Sequence, residues 1–151
     1  MAPRFNLRVY GILLNEAHEV LLSHESRNGF RFTKFPGGGV EFGEGLVEAL
    51  HRKFIEELGL KIKKSTFFYV NEFFQPSVFN PSDQLIAFYY LVTVDLQEIN
   101  PELISKPPNL LDSDDYEVFN WHAIKGLDPD LFTFPIDQKV LIEIQDKLLK
   151  N

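Results

Sequence analysis

Glu56 and Glu57 stand side by side in this chain, just after Arg52 and Lys53 and a short span beyond Pro36-Gly37-Gly38-Gly39, with Glu41 and Glu44 in between. On a helix at ~100° per residue with Leu46 as origin, Leu50, Phe54, Val47 and Leu58 cover the next third of the circumference. Glu57 then falls between Leu46 and Leu50, at the edge of that apolar face. Lys53 lies just outside the edge, and Glu56 and Arg52 follow further round. A carboxylate at a buried edge is costly unless compensated, and with Glu56 and Glu41 or Glu44 close by a hard divalent cation is its natural partner. Oxygen donors and no Cys select Mg²⁺ or Mn²⁺. The glycine run exposes backbone carbonyls and amides, and it leads into a helix N-terminus, where phosphate is favoured. Metal plus phosphate is the chemistry these residue types support.

The same carboxylates also fit plain surface pairing with Arg52 and Lys53 at i,i+4, worth only ~0.3 to 0.5 kcal/mol. Lys53 has three readings. Its ammonium neutralises Glu56 and Glu57, or points at a substrate phosphate, or swings into solvent. A further acidic cluster, Asp112, Asp114, Asp115 and Glu117, supplies candidate bases or a solvated turn, and it lacks the offsets of a calcium loop. His18, His24, His51 and His122 show no zinc-ligand spacing and are expected at the surface or in packing. Phe73, Phe74, Phe79 and Tyr89 are able to stack a base, but most of the 15 Phe must fill a core.

Positioning these groups requires a scaffold. Leu7–Leu14 and Val20–His24 read as two strands around the polar turn 15–19, a hairpin. Phe30–Phe35 is a short aromatic strand ended by Pro36 and three glycines, which predict a loop. Glu44–Leu58 is predicted helical, with Gly59 as its stop. Thr66–Phe74, Leu85–Asp95 and Tyr116–Trp121 read as strands, the second covered on both faces. Residues 97–115, rich in Pro and Asp, predict a loop or flap. The chain closes with Ile136, Val140, Leu141, Ile144 and Leu148 on one face of a helix that Pro135 and Asp137 start. Strand, glycine loop and helix in that order put the loop at the mouth of an α/β layered structure with a mixed sheet.

At 151 residues the chain fits one domain, expected to span 1–151, that buries roughly 70% of its unfolded surface. A hydrophobic content of 44% and aromatic content of 14% exclude disorder. Fifteen basic against 22 acidic residues give a net charge of -7, which disfavours a grip on nucleic-acid duplexes. The longest apolar run, Leu85–Val94, is half the ~20 residues that span a bilayer, so a soluble protein without membrane partners is expected. Absence of Cys suits a reducing, cytoplasmic setting, and the aromatic excess is compatible with a homodimer.

The stretch from Gly38 to Leu60 resembles the signature of the Nudix hydrolases. Gly38, Glu44, Arg52, Phe54, Glu56, Glu57, Gly59 and Leu60 stand at its spacings, and Phe35-Pro36-Gly37 and Gly43 flank them in the family manner. Lys53 replaces the glutamate that the signature carries. The resemblance implies an α/β/α sandwich and the metal-dependent hydrolysis of a nucleoside diphosphate linked to another group. It implies metal binding by Glu56, Glu57 and the Gly38 carbonyl, with Mg²⁺ or Mn²⁺ as cofactor and a nucleotide-like diphosphate as partner. Glu56, Arg52 and Glu44 are its catalytic-centre residues, Arg52 with Glu44 fixing helix against loop. The role of the missing glutamate does not carry over to Lys53, which leaves a second reading: a Nudix domain that binds a nucleotide or sugar nucleotide without turnover. Nudix-like isoprenoid diphosphate isomerases rely on a cysteine that this chain lacks.

Overall fold

Arg4–Leu13 (β1) carries apolar residues at nearly every position of its second half, so both of its faces must be covered, and the fold is built around that requirement. The computed structural model describes residues 2–108 and 114–149. Glu19–Arg27 (β2), Phe30–Lys34 (β3), Gly37–Gly39 (β4), Leu46–Leu58 (α1), Ile62–Val70 (β5), Asp83–Val94 (β6), Tyr116–Ala123 (β7) and Pro135–Leu148 (α2) follow in order. The strands form two sheets. One is mixed, in the order β4-β1-β6-β5 with β1 and β6 parallel; the other is antiparallel, in the order β3-β2-β7.

Alternation along β1 sorts the core into two halves. Val9 and Leu13 face α1 with Ala49, Leu50, Phe54 and Leu58, whereas Tyr10 and Ile12 face α2 with Ile136, Val140, Leu141 and Ile144. The result is the expected helix, sheet, helix sandwich. Gly11 makes the α1 layer fit, since a Cβ there would sit 2.5 Å from Phe54 Cζ. Burying a ring of that size contributes ~1.5 to 3 kcal/mol.

Several sequence expectations need correction. β1 and β2 are not a paired hairpin; only the bridge Leu14–Val20 joins them, and they diverge into different sheets. Asn15 organises that turn, its Oδ1 accepting from the backbone N–H of Ala17 and of Glu19 at 3.0 and 2.9 Å. The tri-glycine segment is a strand rather than a loop, with Val9 opposite Gly38 and Tyr10 opposite Gly37. Without side chains it lies flat against β1. The first helical residue is Leu46, behind Gly45, whose N–H is capped by Glu48 Oε1 at 2.9 Å. Val47 is exposed and Ala49 takes its place in the core. β5 starts and ends four residues before its predicted bounds, because the Asn71 side chain caps it through Leu85 O and Ala87 N. Gly59 ends α1 as expected, in the left-handed region at φ 65°.

Candidate functional site

Arg52 ties α1 to the loop before it. Its Nε and Nη2 grip both oxygens of Glu44 at 2.7 and 2.9 Å, Nη2 also donates to Gly39 O at 3.0 Å, and Nη1 donates to Glu56 Oε1 at 3.1 Å. The forked guanidinium reaches four oxygens because its donors lie in one plane. Glu44 Oε1 also accepts from Glu41 N–H at 2.9 Å. The Arg52 hydrogen bonds, with that backbone donor, hold the Glu44 carboxyl down to about 2. Glu44 precedes α1 and had no place on the wheel; the contact with Arg52 is the one that the family signature implies.

Lys53 lies along the next row of the same helix. Its Nζ is 3.3 Å from Glu57 Oε2 and 4.0 Å from Glu56 Oε1, and its Cε lies 2.5 Å from where a Gly38 Cβ would be. Of its three sequence readings, neutralisation of the glutamates is the one the structure adopts. Glu57 is 14% exposed and Glu56 52%, in keeping with their places on the wheel.

Two residues that the sequence reading passed over complete the floor. Lys34 is 7% exposed and its Nζ contacts Glu25 Oε2 at 3.1 Å, Gly37 O at 3.3 Å and Phe35 O at 3.4 Å. Burial pushes this ammonium down, but Glu25, Tyr10 and Glu57 pull it further up, so it stays charged. Glu25 is opposed directly across the β2–β7 pair by Glu117. Two carboxylates so placed repel. Ser23 Oγ lies 3.0 Å from Glu25 and 3.4 Å from Glu117. Burial first, then Glu57 and Glu25, push the Glu117 carboxyl up to about 7. Of the acidic cluster before Trp121, Glu117 is brought to these groups; Asp115 accepts from Asn28 N–H at 3.0 Å, Asp114 precedes β7, and Asp112 lies outside the described residues. No local signal singled out Glu25 and Lys34, which share their strands with Ser23, His24 and Arg27 and with Arg31 and Thr33.

Glu25, Lys34, Lys53 and Glu57 line a cavity of about 450 Å³ between the two sheets, with Glu117 across the strand pair from Glu25. Its floor is Gly37–Gly39 with Lys34, Lys53, Glu25 and Glu57; Phe32, Phe79 and Phe134 form one wall, packed at centroid distances of 5.5 to 6.0 Å. Phe79 is therefore the one of the four singled-out aromatics that offers a ring to the cavity. Tyr89 lines it too, but its hydroxyl donates to Asp137, while Phe73 and Phe74 lie exposed away from it. Asp137 is buried, and burial pushes its carboxyl up to about 7. His24 and His122 face each other, Nε2 to Nε2 at 3.0 Å, which gives them the packing role expected.

Among the described residues no three His, Asp or Glu side chains converge as a ready-made metal cage. The donor chemistry nevertheless suits a hard cation: Glu57, Glu56 and the glycine backbone surround a positive charge, at present the Lys53 ammonium. The residues fit a divalent ion in kind, with Lys53 as the stand-in. No described helix is long and apolar enough to cross a membrane.

Similarity to known proteins agrees with this geometry. Residues 4–142 match the family described as NUDIX domain. Curated proteins yield no match. Among solved structures, a NUDIX hydrolase from Nitrosomonas europaea superposes with a TM-score of 0.67 at 18% identity, over 94% of this chain and 89% of that one. A MutT NUDIX hydrolase from Burkholderia pseudomallei gives 0.67 at 20% identity, over 95% and 99%. A MutT from a study of Aliivibrio salmonicida and Vibrio cholerae gives 0.63 at 22% identity, over 95% and 98%. With the family match covering most of its length, this chain belongs to the Nudix family and has the fold of the Nudix hydrolases.

Proposed function

We propose that the whole chain acts as one Nudix domain that hydrolyses a diphosphate linkage in a nucleotide-like substrate, a nucleoside diphosphate joined to a second group. The observation that carries this reading is the cavity itself, which joins a glycine floor with ammonium and carboxylate groups to an aromatic wall. Phosphates suit the floor, where backbone and cations meet them, and a ring suits the wall of Phe32, Phe79 and Phe134.

Glu56 and Glu57, with the Gly38 carbonyl, would hold Mg²⁺ or Mn²⁺, which when bound offsets phosphate charge and makes bound water more acidic. Arg52 and Glu44 position the helix that presents those carboxylates. Glu117 takes the base role left open at residue 53: a carboxyl near neutrality both accepts a proton from water and returns it. The overall reaction adds water across the P–O–P bridge, with the proton passing to Glu117 and then to the leaving phosphate.

The ion pair between Lys53 and Glu57 favours a second reading, in which the domain binds the same ligand class without turning it over. Incubating the protein with a panel of nucleoside diphosphate compounds in Mg²⁺ and in Mn²⁺, and following phosphate-containing products, separates the two. Product formation that Glu117→Gln abolishes supports hydrolysis; ligand-dependent thermal stabilisation with no product supports the binding module.

A further inference from the structure

Each glycine of β4 has its own cation. Lys34 Nζ lies 3.3 Å from Gly37 O, Lys53 Nζ lies 3.0 Å from the place of a Gly38 Cβ, and Arg8 Nη1 lies 3.5 Å from the place of a Gly39 Cβ. All three line the cavity. In a chain of net charge -7, three cations over three consecutive residues without side chains are a concentration that composition does not produce. Carboxylates offset them in part: Glu25 pairs with Lys34, Glu57 with Lys53, while Arg8 Nε donates to the Tyr10 hydroxyl at 3.0 Å. An ammonium has three donors. Of the two carboxylates beside Lys53 only Glu57, at 3.3 Å, is within hydrogen-bond reach, Glu56 standing at 4.0 Å, which leaves the ammonium donors for a phosphate oxygen as well.

We propose that Lys53 is a covalently attached substitute for one divalent ion, and that, with Arg8 beside it and the Lys34 charge beneath, it lets this chain hold a diphosphate group in the absence of any metal. The inference rests on the reading of the cavity floor as the diphosphate site, and it goes beyond it by assigning the cation. Three features support it. The ammonium sits against the oxygen donors suited to a hard cation. The floor beneath it is backbone only, so a phosphate can approach closely. Lys34, whose three donors are taken by Glu25, Gly37 O and Phe35 O, adds a buried positive charge beneath the floor, where little water screens it.

The test uses the full chain, inorganic pyrophosphate as the probe and buffer containing EDTA. Thermal melts and calorimetric titrations would be run on the parent, Lys53→Met and Lys53→Arg. The expected result is a pyrophosphate-dependent rise in Tm for the parent without metal, a Kd at least about tenfold weaker for Lys53→Met, and a largely retained affinity for Lys53→Arg. Because residue 53 is partly exposed on α1, the melts without ligand report directly whether each variant is folded. A parent that binds pyrophosphate only when Mg²⁺ is restored overturns the proposal, and so does unchanged affinity in Lys53→Met. Hydrolysis in Mg²⁺ is a separate readout, so an inactive parent that still binds pyrophosphate in EDTA refutes turnover and leaves this inference standing.

Discussion

The Lys53 ammonium and the Glu57 carboxylate lie 3.3 Å apart on successive turns of α1, with Glu57 only 14% exposed. Glu57 also repels Glu117, which stands beside Glu25 on the neighbouring strands. The lysine is thus the counter-charge that α1 itself brings to a group of acids. Replacing it by Lys53→Glu adds a fourth carboxylate where a cation stood. In metal-free buffer that variant is expected to lose on the order of 1 to 2 kcal/mol, and Mn²⁺ is expected to restore the loss by supplying the missing charge. Thermal melts with EDTA and with Mn²⁺ check this, and a variant whose Tm ignores Mn²⁺ contradicts it.

Gly37 and Gly38 answer differently to the same substitution. A Cβ on Gly37 would lie 2.2 Å from Val9 O and 2.7 Å from Tyr10 Cα, at a φ of 145° that side chains rarely adopt. Backbone cannot step aside, so Gly37→Ala should cost on the order of 3 kcal/mol or more. On Gly38 the added methyl meets only the far end of Lys53. Gly38→Ala should therefore stay folded, with a change in stability within about 1 kcal/mol, while it displaces the ammonium. Equal losses in urea unfolding of the two variants would show that β4 is not pressed against β1 as described.

Arg52 and Glu44 make a two-point contact that a lysine is unable to copy. Arg52→Lys is expected to lower Tm by several degrees and to loosen the loop at Glu41, whose N–H depends on Glu44. The effect has a defined pH window. Glu44 is held at about 2 against an ordinary 4.5, so its contribution is complete above 4.5 and fades as pH falls towards 2. Parent and variant melts should therefore converge in acid, and a gap that persists unchanged at pH 2 would assign it to something other than this pair.

The elements that follow one period were legible in the sequence. α1 and α2 came out close to their bounds because apolar residues recur each turn and Gly59 and Pro135 punctuate them. The spacing of Gly38, Glu44, Arg52, Glu56 and Glu57 likewise carried the resemblance to the family whose domain matches residues 4–142. What escaped was set by tertiary contact. Pairing of β4 with β1 depends on the missing side chain of Gly37, in a glycine run that local rules read as a break. Lys34 and Glu25 stand among other polar residues of β3 and β2, and it is the fold that places them 3.1 Å apart. Asp137 read as a helix-start residue, but its carboxyl turns inward to Tyr89.

The buried titratable groups oppose each other in acid, and that opposition can be exposed. Burial, then His122, holds His24 down to about 4 from an ordinary 6.5, so the unfolded chain binds this proton first and stability rises with pH between those values. Asp137 behaves in reverse. Burial holds it up to about 7 from 3.8, the folded chain keeps its proton longer, and stability falls as pH climbs through that window. Glu117, raised to about 7, adds to the falling side. Two falling contributions against one rising leave the parent losing stability as pH climbs from 4 to 7. In Asp137→Asn the amide oxygen still accepts from Tyr89 but nothing ionises, so a falling contribution on the order of 4 kcal/mol disappears. Urea unfolding across that range is expected to give a nearly flat curve for the variant, in which His24 and Glu117 offset each other, where the parent falls with pH; parallel curves would mean that Asp137 ionises freely in the folded chain.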